Sequence, residues 1–175
     1  MQKVITILLT ITILTAFTAG KTDAAQKQSQ SIVVAMNASD MRATALERVF
    51  EKYHSPLAGY ADSYVSIADK YEIDWKLLPA IAGLESSFGK AQLAGSYNSY
   101  GWGGGRIYFS SVEDGIDTVL NGLKTRYMSR GATTVETIAP IYSESPTWAP
   151  RVRKFMNEID SEYQKLGMNK LALTI

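Results

Sequence analysis

The sequence predicts a mainly α-helical domain with a small irregular loop or β-hairpin lobe, and three observations support this fold class. Apolar residues recur three and four positions apart over most of the chain, which is the spacing of one helix face. One stretch, residues 89–111, interrupts this pattern and is rich in Gly, Ser, Tyr and Trp. The chain has 175 residues, 46% hydrophobic and 20% charged, the composition of one globular domain with a real core.

Residues 1–25 have the pattern of an export signal. Residues 1–3 are short and basic, and residues 4–20 contain no charged side chain. We expect cleavage after Ala24 or Ala25. The alternative is an uncleaved anchor over residues 4–20 that contacts the membrane, although this run is short for a membrane span. Both interpretations place the domain in the cell envelope or outside the cell.

Residues 26–38 are polar and rich in Gln and Ser, and we interpret them as a linker to a folded domain over residues 39–175. The formal net charge is +1, and the chain has no stripe of Lys and Arg. We therefore expect no nucleic-acid partner. We also expect the protein to be a monomer.

Six apolar stripes predict about six helices in this domain. Asp74 is the expected N-cap of the third, Pro79 about one turn later marks a kink or a 3₁₀ start, and Gly89 is the expected stop after Phe88. This third helix is apolar nearly all round, so it is predicted to be central and buried. Residues 106–110 are a candidate short strand. The other stripes are Leu46, Val49, Phe50 and Tyr53; Ala61, Tyr64, Val65 and Ala68; Ile116, Val119, Leu120, Leu123 and Tyr127; residues 133–143; and Val152, Phe155, Met156, Ile159 and Tyr163.

The chain contains no cysteine and one histidine, which narrows its chemistry. Thiol nucleophiles, disulfides and lipid-modified cysteines are excluded. The histidine, His54, falls near a predicted helix end, where a cation is favourable, and we interpret it as a capping or surface residue. We expect no metal site and no cofactor. Carboxylates, tyrosines and hydroxyls remain for catalysis.

Glu85 is the only charged residue between Lys76 and Lys90. A carboxylate buried in such an apolar run is costly, and desolvation raises a carboxyl pKa towards the range in which a general acid works at neutral pH. Glu85 is therefore the first candidate for a catalytic acid. The alternative is a structural carboxylate bonded to the backbone, to Arg106 or to Arg126.

The loop that follows Glu85 offers groups that bind sugars. Tyr97, Tyr100 and Trp102 have faces on which sugar rings stack, and the Asn98 amide matches sugar hydroxyls and N-acetyl groups. An acid beside such groups suggests glycoside cleavage. The alternative for the three aromatic residues is that they cover the core.

Three segments resemble known cell-wall enzymes. Residues 84–89, Leu-Glu-Ser-Ser-Phe-Gly, resemble the Glu-Ser signature of the lysozyme-like superfamily of peptidoglycan-cleaving enzymes, which lytic transglycosylases share. Residues 98–103, Asn-Ser-Tyr-Gly-Trp-Gly, are similar to an Asn-x-x-Gly element of bacterial glucosaminidase domains, the mannosyl-glycoprotein endo-β-N-acetylglucosaminidase-like domains. Residues 141–148 look like the late Tyr-containing segment of that family. The resemblance covers about residues 55–160 and implies a lysozyme-like helical fold.

The resemblance also implies roles for individual residues. Glu85 would be the catalytic acid, and Tyr142 would lie opposite it and stabilise the developing positive charge or the leaving group. Ser86 would help to hold the substrate, while Asn98 and Gly101 would shape the floor of the cleft. The further substrate-binding candidates are Tyr100, Trp102 and Trp148, the last with core packing as its alternative.

A second carboxylate is missing from the segment that follows Glu85, since residues 86–112 contain no Asp or Glu. Most glycosidases use two carboxylates. The substrate's own N-acetyl oxygen, the muramic acid 6-hydroxyl, or a distant carboxylate such as Glu144 or Glu113 would have to serve instead. Glu144 is the stronger of these two candidates because it is two residues from Tyr142, with an exposed loop position as its alternative.

We therefore expect an exported enzyme that cuts β-1,4 bonds in peptidoglycan glycan strands and resembles endo-β-N-acetylglucosaminidases. A lytic transglycosylase that forms 1,6-anhydro-muramic ends is the first alternative. A non-catalytic wall-binding module is the alternative of a different class.

Overall fold

The structure is a computed structural model that describes residues 41–172. The predicted targeting segment and linker, residues 1–25 and 26–38, lie outside this range. No helix between residues 41 and 172 combines the length and the apolar character needed to cross a membrane.

The predicted mainly α-helical fold is confirmed. No strand occurs in residues 41–172, so the candidate strand at residues 106–110 was wrong. One backbone bond, from Phe109 N–H to Ser96 O at 2.9 Å, joins the two arms of this irregular lobe, and no ladder of further backbone bonds extends it within the described chain. The helices are α1 (residues 41–52), a 3₁₀ turn (Ala58–Tyr60), α2 (Ala61–Tyr71), α3 (Leu77–Ser86), α4 (Val112–Gly122) continued by a π-helical turn (Leu123–Tyr127) and a 3₁₀ turn (Met128–Arg130), α5 (Val135–Tyr142) and α6 (Trp148–Ala172).

The third helix is central, as predicted. Residues 77–83 are all buried, and α3 packs mainly against α6. Pro79 falls in the first turn of α3, where a missing N–H breaks no intrahelical bond. The prediction that Asp74 is the N-cap was wrong, because α3 begins at Leu77 with Lys76 as its N-cap. Asp74 instead caps the preceding turn, where its Oδ1 accepts the Lys76 backbone N–H at 3.0 Å.

The end of α3 is fixed by an unusual turn. Ser87, Phe88 and Gly89 all have left-handed backbones, with φ of 51°, 58° and 83°. Two of these residues carry a Cβ, which makes the conformation unfavourable by about 1–2 kcal/mol each. The Ala82 carbonyl accepts the N–H groups of both Ser87 and Phe88, which holds the turn in place. The Phe88 ring is fully buried against the rings of Phe50, Tyr53 and Phe155.

A bidentate ion pair joins α5 to α6 and predicts a pH dependence of stability. Arg153 donates two hydrogen bonds of 2.8 Å to Glu136 and holds the pKa of that carboxyl at about 2, below its ordinary value of 4.5. A lowered folded-state pKa stabilises the protein above the unfolded pKa, and this contribution is lost as the pH falls from about 4.5 towards 2. Glu136→Gln should therefore be less stable than wild type at pH 6, with the difference vanishing near pH 2.

Denaturant unfolding between pH 6 and pH 2 measures this difference. Glu144→Gln is the control, because Glu144 is exposed and forms no ion pair within residues 41–172. A difference for Glu136→Gln that stays constant with pH would contradict the prediction.

Candidate active site

Glu85 lies in the last turn of α3 and is exposed. The expectation that it is buried was therefore wrong, although the helix that carries it is buried as predicted. Along this turn Leu84 is half-buried and Ser86 buried, so one side of the helix end faces away from the core, towards the Gly/aromatic loop.

The Glu85 carboxylate is held by a tryptophan from α6. Trp148 donates its indole N–H to Oε1 of Glu85 at 2.8 Å. Hydrogen bonds to an ionised acceptor are stronger than neutral ones. Glu85 forms no ion pair within residues 41–172, so Arg106 and Arg126 do not act as its partners there.

The loop backbone passes close to the other carboxylate oxygen at Gly101. A Cβ at this position would lie 3.3 Å from Oε2 of Glu85, and the backbone has a φ of +64°. Glycine allows both the left-handed conformation and the close approach. The structure thus places Gly101, which the resemblance implied would shape the floor of the cleft, next to Glu85.

Four aromatic rings form a cluster beside Glu85, which we call the aromatic wall. Tyr142 stacks on Trp148 with ring centroids 4.9 Å apart, and Trp102 lies 5.9 Å from Tyr142. Tyr127 completes the wall at 6.0 Å from Trp102 and 6.3 Å from Tyr142. The rings come from the loop, the π-helical turn, α5 and α6, so the wall depends on the whole fold.

Tyr142 is the member of the wall whose hydroxyl is engaged. The hydroxyl donates to the Tyr100 carbonyl at 2.7 Å. Its burial, followed by the charges of Glu85 and Tyr127, raises the pKa of the Tyr142 phenol well above its usual value. Tyr142 is therefore a neutral phenol at neutral pH, and it lies close enough to Glu85 to feel that charge.

Tyr127 is a site residue that sequence reasoning assigned only to a helix stripe. It ends the π-helical turn Leu123–Tyr127, and such turns occur frequently at functional sites. The extra residue in the turn changes the direction of the helix face. The apolar spacing in the sequence gives no signal of that change.

Asn98 binds the backbone of its own loop and does not line an open surface. Its Nδ2 donates to the carbonyls of Trp102 and Ile107 at 2.9 and 3.1 Å, and its Oδ1 accepts the Trp102 N–H at 3.0 Å. The residue is 4% exposed. This network shapes the segment that passes Glu85, and its amide has no donor left for a ligand.

Ser86 and Tyr100 have interior roles instead of the direct substrate contacts that were expected. The Ser86 hydroxyl lies 2.7 Å from the Ser99 carbonyl and accepts the Gly89 N–H at 2.8 Å. Tyr100 is fully buried, and its hydroxyl bonds that of Tyr64 at 2.8 Å. Trp102 and Trp148 are also buried, so their rings act in the wall mainly through packing.

The structure does not bring a second carboxylate to Glu85 through any direct contact in the described residues. Glu144 is exposed in the segment between α5 and α6. Residues 41–172 also contain no group of three acidic, His or Cys side chains able to hold a metal. Comparison of the sequence with protein-family models and with curated proteins found no match.

The position of Trp102 depends on a glycine in α4, which gives a second stability prediction. A Cβ at Gly122 would clash with the Trp102 ring. Overpacking of this kind costs about 1–3 kcal/mol, which exceeds the gain of about 1 kcal/mol in helix propensity from Gly to Ala. Gly122→Ala should therefore lower the free energy of unfolding.

Gly167→Ala in α6 is the matched control for this prediction. A Cβ there would meet only Met41 Cε at 3.7 Å, an ordinary contact, so this variant should be as stable as wild type or more stable. Denaturant unfolding of both variants measures the difference. An equal gain in stability at the two positions would contradict the close approach of Trp102 to Gly122.

Proposed function

We propose that this protein is an exported peptidoglycan-cleaving enzyme that cuts β-1,4 glycosidic bonds of the glycan strand, with Glu85 as general acid and base. The observation that carries this function is the exposed Glu85 carboxylate, oriented by Trp148 at 2.8 Å, with the ring of Tyr142 stacked on that tryptophan. An acid that must reach a substrate oxygen has to be accessible. The likeness of residues 84–89, 98–103 and 141–148 to lysozyme-like and glucosaminidase segments supports the same assignment.

The chemistry requires two proton transfers at Glu85, one out and one back. Bound glycan displaces water from Glu85, and desolvation favours the protonated carboxyl. Glu85 then gives its proton to the glycosidic oxygen, the bond from that oxygen to the anomeric carbon breaks, and the leaving sugar departs as an alcohol. The remaining sugar carries positive character, which the oxygen of Tyr142 would stabilise. A water adds to the anomeric carbon and returns a proton to Glu85, which leaves a reducing end.

A lytic transglycosylase is the second candidate, and the isolation of Glu85 favours it. Residues 86–112 contain no acidic side chain, and within residues 41–172 the Glu85 carboxylate is approached by the Trp148 N–H and by the backbone at Gly101. An attacking group that belongs to the substrate is already in place, so this mechanism does not call for a second carboxylate that activates water. The muramic acid 6-hydroxyl would attack the anomeric carbon and give its proton to Glu85, which forms a 1,6-anhydro end without water.

Product analysis tests both candidates. Purified peptidoglycan is digested with the wild-type protein and the released muropeptides are analysed by mass spectrometry before and after borohydride reduction. Hydrolysis gives ends that borohydride reduces, and the sugar at that end identifies the linkage. Transglycosylation gives ends that are lighter by one water and resist reduction. Binding to peptidoglycan without any release would overturn the enzyme and support a wall-binding module.

A further inference from the structure

We infer that Trp148 is a positioning residue for Glu85. Its indole N–H fixes Oε1 of the carboxylate and leaves Oε2 as the oxygen that carries the catalytic proton. This role rests on the proposed function. It replaces the expectation that Trp148 contacts the substrate, because the residue is only 2% exposed.

The chemistry of the indole determines which oxygen is protonated. The indole N–H can only donate a hydrogen bond, and it points to Oε1 at 2.8 Å. When Glu85 is protonated, its carbonyl-type oxygen is the better acceptor for this donor. The proton therefore resides on Oε2, and Oε1 remains the acceptor in both protonation states.

The surroundings of Oε2 suit a proton donor. No hydrogen-bond donor in residues 41–172 reaches this oxygen, whose near neighbour is the backbone at Gly101. Because Gly101 has no side chain, a sugar oxygen can approach Oε2 beside the loop. The two oxygens of Glu85 thus face different surroundings.

Trp148 is itself held in one orientation. Its ring stacks on Tyr142 at an interplanar angle of 29°, and the Tyr142 hydroxyl is anchored on the Tyr100 carbonyl. Trp148 is also the first residue of α6, the helix against which α3 packs. The donor and the helix end that carries Glu85 therefore belong to one packed unit, so the carboxylate is oriented before substrate binds.

An NMR titration tests the contact without reference to activity. The chain has three tryptophans, Trp75, Trp102 and Trp148, and hence three indole N–H signals, which can be assigned by triple-resonance spectra. The Trp148 signal should titrate in the acidic range in the wild-type protein and should lose this titration in Glu85→Gln. A Trp148 signal that is independent of pH, or one that titrates equally in Glu85→Gln, would overturn the inference.

A kinetic experiment tests the positioning role itself. Trp148→Phe keeps an aromatic ring but removes the donor, while Trp75→Phe is the matched control, since Trp75 packs against Tyr163. We expect kcat to fall by about 10²-fold for Trp148→Phe with little change in KM, because misplacing a reacting group by about 1 Å has an effect of this size.

The NMR titration and the kinetic experiment together distinguish a failure of the positioning role of Trp148 from a failure of the proposed function. Full activity in Glu85→Gln would reject the proposed function, and the titration would still decide whether Trp148 holds Oε1. Activity that depends on Glu85, combined with an unchanged kcat in a folded Trp148→Phe variant, would reject the positioning role and leave the enzyme in place.

Discussion

Glu85→Gln is expected to reduce muropeptide release from peptidoglycan by about 10²–10⁴-fold, the range of a general acid–base contribution. The amide has the shape of the carboxyl group and can still accept the Trp148 N–H, but it has no proton to give. Binding to peptidoglycan should be retained, and stability should change little because the residue is exposed and forms no ion pair in the described structure. Initial rates of muropeptide release and cosedimentation with the polymer measure the two effects.

Glu144→Gln is the companion variant for this experiment. Both residues are exposed glutamates, but only Glu85 has a carboxylate hydrogen-bonded by a wall residue. Unchanged activity in Glu144→Gln would leave the mechanism with one carboxylate and favour a nucleophile from the substrate. A loss equal to that of Glu85→Gln would identify Glu144 as the second carboxylate. Wild-type rates in Glu85→Gln would reject the enzyme.

Local patterns predicted the helices well because the signals that set them are local. The burial of α3 follows from its nearly continuous apolar run, and Pro79 lies in its first turn, but the helix begins at Leu77, later than the predicted N-cap Asp74. The predicted end of α3, at Phe88, lies two residues beyond the observed end at Ser86. Ser87 and Phe88 adopt left-handed conformations that usually need glycine. The turn is held by bonds to Ala82 and by burial of Phe88, and neither of these has a sequence signature.

The contacts that form the site could not be predicted from local sequence patterns, because they join residues that are far apart in the chain. Trp148 and Glu85 are 63 positions apart, and Tyr142 and the Tyr100 carbonyl are 42 apart. Such pairs depend on how α3, α5 and α6 pack together. The apolar neighbours of Glu85 in sequence suggested burial, but the last turn of α3 presents this residue to solvent.

In the loop lobe, the sequence also did not predict which aromatic residues are buried. Its aromatic residues were expected to offer faces to sugars, yet the fold uses Tyr100 inside the core and Trp102 against Gly122. Composition alone does not tell an aromatic residue that binds a ligand from one that packs. Asn98 illustrates this point, because its amide is saturated by the backbone of its own loop.

Tyr142→Phe is expected to lower kcat by about 10²-fold, the effect of removing one preorganised polar group from a transition state. The phenol is neutral at neutral pH, because burial and the Glu85 charge raise its pKa. Its proton is committed to the Tyr100 carbonyl at 2.7 Å, so its oxygen lone pairs remain for the positive charge that develops on the sugar. Phenylalanine preserves the stack on Trp148 and removes only this oxygen.

Tyr127→Phe is the matched control, since Tyr127 belongs to the same wall but its hydroxyl makes no hydrogen bond among the described residues. Tyr142→Phe should also lose about 1 kcal/mol of stability with its hydrogen bond, so rates are compared at a temperature where both variants are fully folded. A drop in kcat for Tyr142→Phe alone, with peptidoglycan binding unchanged, would assign the effect to the transition state. Equal rates in the two variants would reduce Tyr142 to a packing partner of Trp148.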